Sequence, residues 1–274
     1  MQTITSKVNE AIAFLRSKNI NNPQVAVVLG TGLGQLVNAI EVTLEIDYTD
    51  IPHFVTSTVE FHKGKLIVGT IGTTQVIAMQ GRFHYYEGYS MQQITFPIRV
   101  FKALGVQQLI LSNAAGGMNV EFKKGDLVAL TDHINMLPES PLRGVHEPAF
   151  GDRFVDLCNP YNAAINENII AIAASQNVVV KQGVYVAVQG PYLETKAEYK
   201  YLAAAGADMV GMSTVPEVIV ANQIGLPCVA ISVITDECNP ATLQPVNIAE
   251  IIAVAGSADV KLSAVLAAYI TQLA

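Results

Sequence analysis

The segments GVYVAVQGPYLETKAEY (183–199) and ADMVGMSTVPEVIVANQIGLPCVAISVITD (207–236) decide how this chain folds. Val184–Val188 and Cys228–Ile234 are strand-like apolar runs, and between them lie a helical pattern over 194–205 and a second helix beginning near Pro216. Glu194, the Gly211-Met212-Ser213 turn and Asp236 fall where strands stop and turns or helices begin. Ligands of α/β folds bind outside such strand ends, so the stretch reads as half of a pocket.

The other half lies upstream. Val25–Leu29 is a five-residue apolar run suited to a strand buried on both faces, and it breaks into Gly30-Thr31-Gly32-Leu33-Gly34 before a helical Leu36–Ile40. Strand, glycine turn and helix N-terminus together make an anion site, although a plain tight turn accounts for the same residues. Gln35 excludes a dinucleotide fingerprint, and no Gly-Lys-Ser/Thr follows to make a Walker loop. A turn over 61–65 carries His62 between Val59 and the strand Leu66–Thr70. The strand Thr74–Met79 ends in a loop that packs Arg82, His84, Tyr86 and Glu87 together; Arg82 offers a forked donor to an oxyanion and His84 a second donor. A helix over Ile94–Leu104 and a strand over Leu109–Ser112 lead to a small-residue turn at Asn113-Ala114-Ala115-Gly116-Gly117. Asp132 and His133, after the strand Leu127–Leu130, read as structural loop residues.

Val8, Ile12, Phe14 and Leu15 line one face of a first helix, Ala163–Ser175 is another, and a helical pattern runs from Ala249 to the C-terminus. Residues 138–160, rich in Pro, Gly and charge with Phe150 and Phe154 as apolar exceptions, read as a lid or a subunit-contact loop. No repeat or linker interrupts this alternation. The expectation is one α/β domain over 1–274, with α/β/α layers around a mixed, mainly parallel central sheet.

Composition narrows the function. The 274 residues are 51% hydrophobic and 14% charged, far from a disordered chain. A net charge of −7 argues against nucleic-acid binding, yet a local nest of N–H groups and one Arg can still hold phosphate. Three scattered cysteines suit neither a disulfide framework nor a zinc site. Lys and Asp interrupt every candidate membrane span and the N-terminus is not ordered like a signal peptide, so no membrane and a cytoplasmic location are expected.

Taken together, Thr31, Arg82, His84, the Ala114 N–H and Ser213 suit a dianionic phosphate, while Glu194 and Asp236 suit a heterocycle bearing N–H groups. No serine sits in a nucleophile elbow and no metal-ligand spacing occurs. Phosphate attacking a base-bearing sugar would use every part.

Here the chain resembles the trimeric, low-molecular-mass class of purine nucleoside phosphorylase. The resemblance spans nearly the whole chain and rests on GTGLG (30–34), GRFHYYEGY (81–89), NAAGGMN (113–119), GPYLETKAE (190–198) and GMSTVPEVIVA (211–221). It implies reversible phosphorolysis of purine ribonucleosides and deoxyribonucleosides, a role in purine salvage, a homotrimer, and no cofactor or metal beyond phosphate as co-substrate. It implies phosphate ligands at Thr31, His62, Arg82, His84, Ala114 and Ser213, and ribose contacts at Tyr86, Tyr185 and Met212. It places the base among Ala115, Gly116, Leu193, Glu194, Val210, Gly211 and Asp236, gives catalytic weight to His84, Glu194 and Asp236, and has Phe150 reach into a neighbouring subunit.

Two departures matter. Asp236 replaces a common asparagine, so either it is protonated with substrate bound or adenosine is accepted beside inosine and guanosine. Ile248 falls where relatives place a histidine near the ribose 5′-hydroxyl, which makes methylthioadenosine phosphorylase the nearest alternative. A nicotinamide-dependent oxidoreductase lacks its fingerprint here, and a catalytically silent nucleoside-binding protein would not need Arg82, His84 and Ser213.

Overall fold

The computed structural model describes residues 2–60, 62–144 and 146–273; Phe61 of the 61–65 turn and Val145 of the long loop lie outside them. The centre is β1 (Val25–Leu29), buried at every position and flanked by parallel neighbours β4 (Thr74–Gln80) and β5 (Gln108–Gly117). Successive side chains point to opposite faces of a strand, and β1 feeds two cores accordingly. Ala26 and Val28 pack with α1 (Ile4–Ser17), α2 (Met91–Leu104) and α5 (Val215–Gln223), whereas Val25, Val27 and Leu29 pack with α3 (Ala163–Ser175) and α6 (Ile248–Thr271). These are the expected α/β/α layers.

The remaining strands are β2 (Glu41–Asp47), β3 (Lys65–Ile71), β6 (Leu127–Asn135), β7 (Val180–Ala187), β8 (Met209–Gly211) and β9 (Cys228–Glu237), with α4 (Lys196–Ala204) between β7 and β8. Sheet order is β2-β3-β4-β1-β5-β8-β7-β6-β9, and β9 also pairs in parallel with β5. Strands β5, β8, β7, β6 and β9 therefore close on themselves. Pairing is antiparallel at β2–β3, β3–β4, β5–β8 and β6–β9, and parallel elsewhere.

Several expected turns prove to be strand. Residues 113–117 continue β5 because Gly116 and Gly117 pair with β8 on one side and β9 on the other. Asp236 is likewise inside β9, and Asp132 and His133 are inside β6. After the glycine turn comes a short 3₁₀ helix, Gln35–Ala39, in place of an α-helix, and the N–H of Gln35 is already taken by Asp259 Oδ2 at 2.7 Å. That N-terminus is not the anion site expected of it.

By length and composition α6 is apolar enough to cross a membrane, contrary to the expectation that Lys and Asp interrupt every candidate span. It packs on the sheet instead, burying Ala255, Ala258, Leu262 and Leu266, and its buried Asp259 ties Gln35 and Ser263.

Candidate functional site

Seven chain segments converge on one cleft at the ends of β1, β4 and β8, along β5 and β9, around the start of α4 and on the first turn of α6. Its lining comprises Gly30, Thr31, Arg82, His84, Tyr86, Asn113, Ala114, Ala115, Gly116, Leu193, Glu194, Tyr199, Val210, Gly211, Met212, Ser213, Thr235, Asp236 and Ile251.

At one end the lining is cationic. Arg82 is 1% exposed; its Nε donates to Glu217 Oε1 at 3.0 Å and its Nη1 to the Ser112 carbonyl, while Nη2 is buried without a partner among the described residues. An unpaired buried guanidinium nitrogen is costly, so a cleft-lining Arg82 is built to receive an acceptor. His84 beside it donates Nδ1–H to Glu87 Oε1 at 3.0 Å, the tautomer a carboxylate acceptor dictates, which leaves Nε2 free. Burial holds the His84 imidazole below its ordinary range despite the Glu87 carboxylate. Burial opposes charge on Glu87 as well, but hydrogen bonds from His84 and Thr58 outweigh it and bring Glu87 down to about 2.

His62 stands behind this end. Its Nε2 lies 3.2 Å from Thr31 Oγ1, its ring stacks on His84 with centroids 5.4 Å apart, and burial, then the charges of His84 and Arg82, lower it to about 4. Gly81, at φ +107°, has to be glycine: a Cβ there would meet His62 Cβ at 2.5 Å.

The turn after β8 completes the cationic end. Thr214 has φ +69°, costly for a β-branched residue, and its Oγ1 accepts from Asn113 Nδ2 at 2.9 Å while Asn113 Oδ1 accepts from Ser232 Oγ at 2.7 Å. This buried chain from β9 through β5 to the start of α5 holds Ser213 against the cleft. Tyr185 lies underneath, fully buried, and its OH accepts from the Ser213 N–H at 3.3 Å; it supports the cleft without lining it. Gly211 admits that ring, since a Cβ would come within 2.2 Å of the Tyr185 hydroxyl.

The other end carries carboxylates. Glu194 precedes α4, whose N-cap Thr195 bonds the Glu198 N–H at 3.2 Å and takes the Glu198 carboxylate on its own N–H at 2.7 Å. Burial raises the Glu194 carboxyl, and the charge of Asp236 adds to this. Asp236 Oδ1 accepts from Thr235 Oγ1 and Oδ2 from the Cys238 thiol, each at 3.1 Å.

Fourteen of the seventeen residues expected at the site line this cleft; His62 and Tyr185 support it from behind. Phe150 is elsewhere: its ring lies under the Arg99 guanidinium, 4.5 Å from the centroid. The loop's free aromatic is Phe154, 89% exposed. Ile248 is half exposed at the start of α6, and Ile251, one turn on, faces the cleft in its stead. Tyr199, Thr235 and Ile251 escaped the sequence reading. An aromatic four residues into α4 carries no chemical signal of its own, and Thr235 and Ile251 look like ordinary strand and helix positions.

The family described as the phosphorylase superfamily matches residues 24–271. Purine nucleoside phosphorylase 1 of Bacillus subtilis (strain 168) is 47% identical over 248 residues, covering 90% of this chain and 92% of that protein. A crystal structure of Schistosoma mansoni purine nucleoside phosphorylase in complex with adenosine superimposes with a TM-score of 0.92 at 36% identity, covering 98% of both chains. A schistosoma purine nucleoside phosphorylase in complex with hypoxanthine gives 0.93 at 36% identity, covering 100% of both.

Proposed function

The chain belongs to the phosphorylase superfamily as a purine nucleoside phosphorylase, and on that premise we propose how its cleft divides the work. The reaction is phosphorolysis of purine nucleosides to free base and sugar 1-phosphate, a glycosyl transfer to inorganic phosphate that serves purine salvage. The observation that carries the assignment is the polarity of one cleft: an unpaired Arg82 Nη2 with His84 and Ser213 at one end, and Glu194 with Asp236 at the other.

Phosphate binds at Arg82 Nη2, His84 Nε2, the Thr31 and Ser213 hydroxyls and the Ala114 N–H, with His62 setting Thr31. The sugar lies between the ends against Tyr86 and Met212, over Tyr185. The base lies along Ala115, Gly116, Leu193, Val210 and Gly211, with its polar edge on Glu194 and Asp236. Ribonucleosides and deoxyribonucleosides of hypoxanthine and guanine are substrates, and Asp236 admits adenosine.

Catalysis follows from this placement. The bond to N9 lengthens first, positive charge builds on the sugar, and the bound phosphate dianion stabilises and then captures it. The leaving purine takes a proton or hydrogen bond at N7 from the Asp236 side. Arg82, paired to Glu217, is a preorganised donor, and His84, whose Nδ1–H is held by Glu87, offers Nε2 as an acceptor to the P–OH of the hydrogen phosphate dianion, so little reorganisation remains in the transition state. The scheme draws on no metal or organic cofactor. The active form is a homotrimer in the cytoplasm, with Phe150 reaching a neighbour's cleft.

Base release from inosine and adenosine, each with and without inorganic phosphate, tests the reading. Release that needs phosphate and yields sugar 1-phosphate supports it; release without phosphate makes the protein a hydrolase.

A further inference from the structure

The glycine turn that carries Thr31 is docked on α6, a helix whose buried carboxylate has no part in that scheme. At its start the Gly30 N–H donates to Ser112 Oγ at 3.2 Å, and the Leu33 N–H closes the turn on the Gly30 carbonyl at 3.0 Å. At its end the Gln35 N–H donates to Asp259 Oδ2 at 2.7 Å, and Gln35 Nε2 donates to the Gly256 carbonyl at 2.9 Å. Between these points Gly32, at φ +73°, lies against the helix, where a Cβ would meet Ala255 Cβ at 2.9 Å.

Asp259 is 1% exposed, and its Oδ1 accepts from Ser263 Oγ at 3.0 Å. Burial opposes charge on its carboxyl, and the bonds from Gln35 and Ser263 work against that. A side chain needed only to fill this space would be apolar, as the buried Ala255, Ala258 and Leu262 around it on α6 are. The carboxylate is therefore placed for what it holds, which is the end of the turn.

We propose that Asp259 is a positioning residue for phosphate: it anchors the glycine turn on α6, so that the Thr31 hydroxyl stays at the cationic end of the cleft. Thr31 Oγ1 is then set from two sides, by His62 Nε2 at 3.2 Å and by the backbone that Asp259 fixes. Ile251, Ala255 and Asp259 are spaced four apart and share one face of α6, and Ile251 lines the cleft beside Thr235 and Asp236. A general loosening of α6 consequently reaches the nucleoside end as well, whereas loss of the anchor is felt by phosphate alone.

The inference rests on the phosphorolysis reading, and its test separates the two. KM for phosphate and KM for inosine are measured in the wild type, Asp259→Asn, Asp259→Ala, Gln35→Ala, Thr31→Ala and the Thr31→Ala/Asp259→Ala double variant. Asp259→Ala leaves the Gln35 N–H without its acceptor and raises the KM for phosphate about tenfold, with the KM for inosine within about twofold of wild type. Asp259→Asn keeps an oxygen for that N–H and a donor for Ser263 Oγ, and restores the KM for phosphate to within about twofold. Gln35→Ala removes only the bond to Gly256, raises the KM for phosphate about threefold, and carries the test if Asp259→Ala does not fold. Because the anchor acts through the turn, adding Asp259→Ala to Thr31→Ala raises the KM for phosphate by less than about twofold more. Both KM values rising together, an unchanged KM for phosphate, Asp259→Asn no better than Asp259→Ala, or additive effects with Thr31→Ala overturn the anchor and leave phosphorolysis standing. A wild type that releases base without phosphate overturns both.

Discussion

Arg82 Nε lies 3.0 Å from Glu217 Oε1, and the two side chains are 1% and 4% exposed. The pair joins the loop after β4 to the first turn of α5, so the residue that presents Nη2 to the cleft is anchored by a charge from the element that presents Ser213. Such a pair contributes little net stability while intact but is destabilising by about 3 kcal/mol or more when one partner is lost, because the other charge stays buried. Arg82→Ala is expected to lower stability by about that amount in chemical denaturation. Arg82→Lys keeps the charge and loses the fork, so the KM for phosphate is expected to rise at least tenfold while the KM for inosine changes far less.

Asp236 is the residue proposed to read position 6 of the purine. Asp236→Asn replaces an acceptor by a side chain that also donates, and is expected to raise the inosine-to-adenosine ratio of kcat/KM about tenfold. An unchanged ratio would remove Asp236 from base recognition.

His62 makes stability depend on pH. Its folded value of about 4 lies below the ordinary 6.5, so between these values the unfolded chain binds the extra proton and the folded one does not. Stability is therefore full above pH 6.5 and falls as pH drops toward 4, by at most about 3 kcal/mol from this residue. Glu87, held at about 2, adds a loss in the same direction below its ordinary 4.5. In His62→Gln the decline of Tm from pH 7 to pH 5 is expected to be shallower than in the wild type; parallel declines would assign the effect elsewhere.

Gly211 and Tyr185 form a steric pair. Gly211→Ala drives a methyl to 2.2 Å from the Tyr185 hydroxyl, so loss of most activity and about 2 kcal/mol of stability is expected. Adding Tyr185→Phe removes the hydroxyl and is expected to recover part of the stability, which thermal unfolding of the double variant measures against the two single ones.

Phe150 is the aromatic proposed to reach a neighbour's cleft. Phe150→Ala is expected to lower activity. Mixing it, after dissociation and reassociation, with an inactive His84→Ala protein is expected to restore turnover, since a hybrid trimer pairs an intact cleft with an intact Phe150. Strictly additive activities would contradict contribution across subunits.

Much of this was legible before any coordinates. Val25–Leu29 and Ala163–Ser175 are readable to the residue because an apolar run of strand length and a capped amphipathic helix each admit one solution. The motif residues Arg82, His84, Glu194 and Ser213 are readable because their chemistry is dense at strand ends. What hides is whatever depends on pairing at a distance. The stretch 113–117 is small and glycine-rich, the local signature of a turn, yet becomes strand because β8 and β9 flank it. Strand β2 is mostly exposed, so it lacks an apolar signal, and β8 is three residues long. Phe150 and Phe154 are equivalent in composition, and only packing against Arg99 tells the half-buried Phe150 from the exposed Phe154.

The central claim is that a phosphate oxygen, held by Arg82 and His84, attacks the sugar as the purine leaves. The direct measurement is to incubate inosine with ¹⁸O-labelled inorganic phosphate and examine the sugar product by mass spectrometry. Sugar 1-phosphate retaining every phosphate label, including the oxygen bridging C1 and phosphorus, is the expected result. Free ribose carrying an oxygen from solvent water would contradict the account.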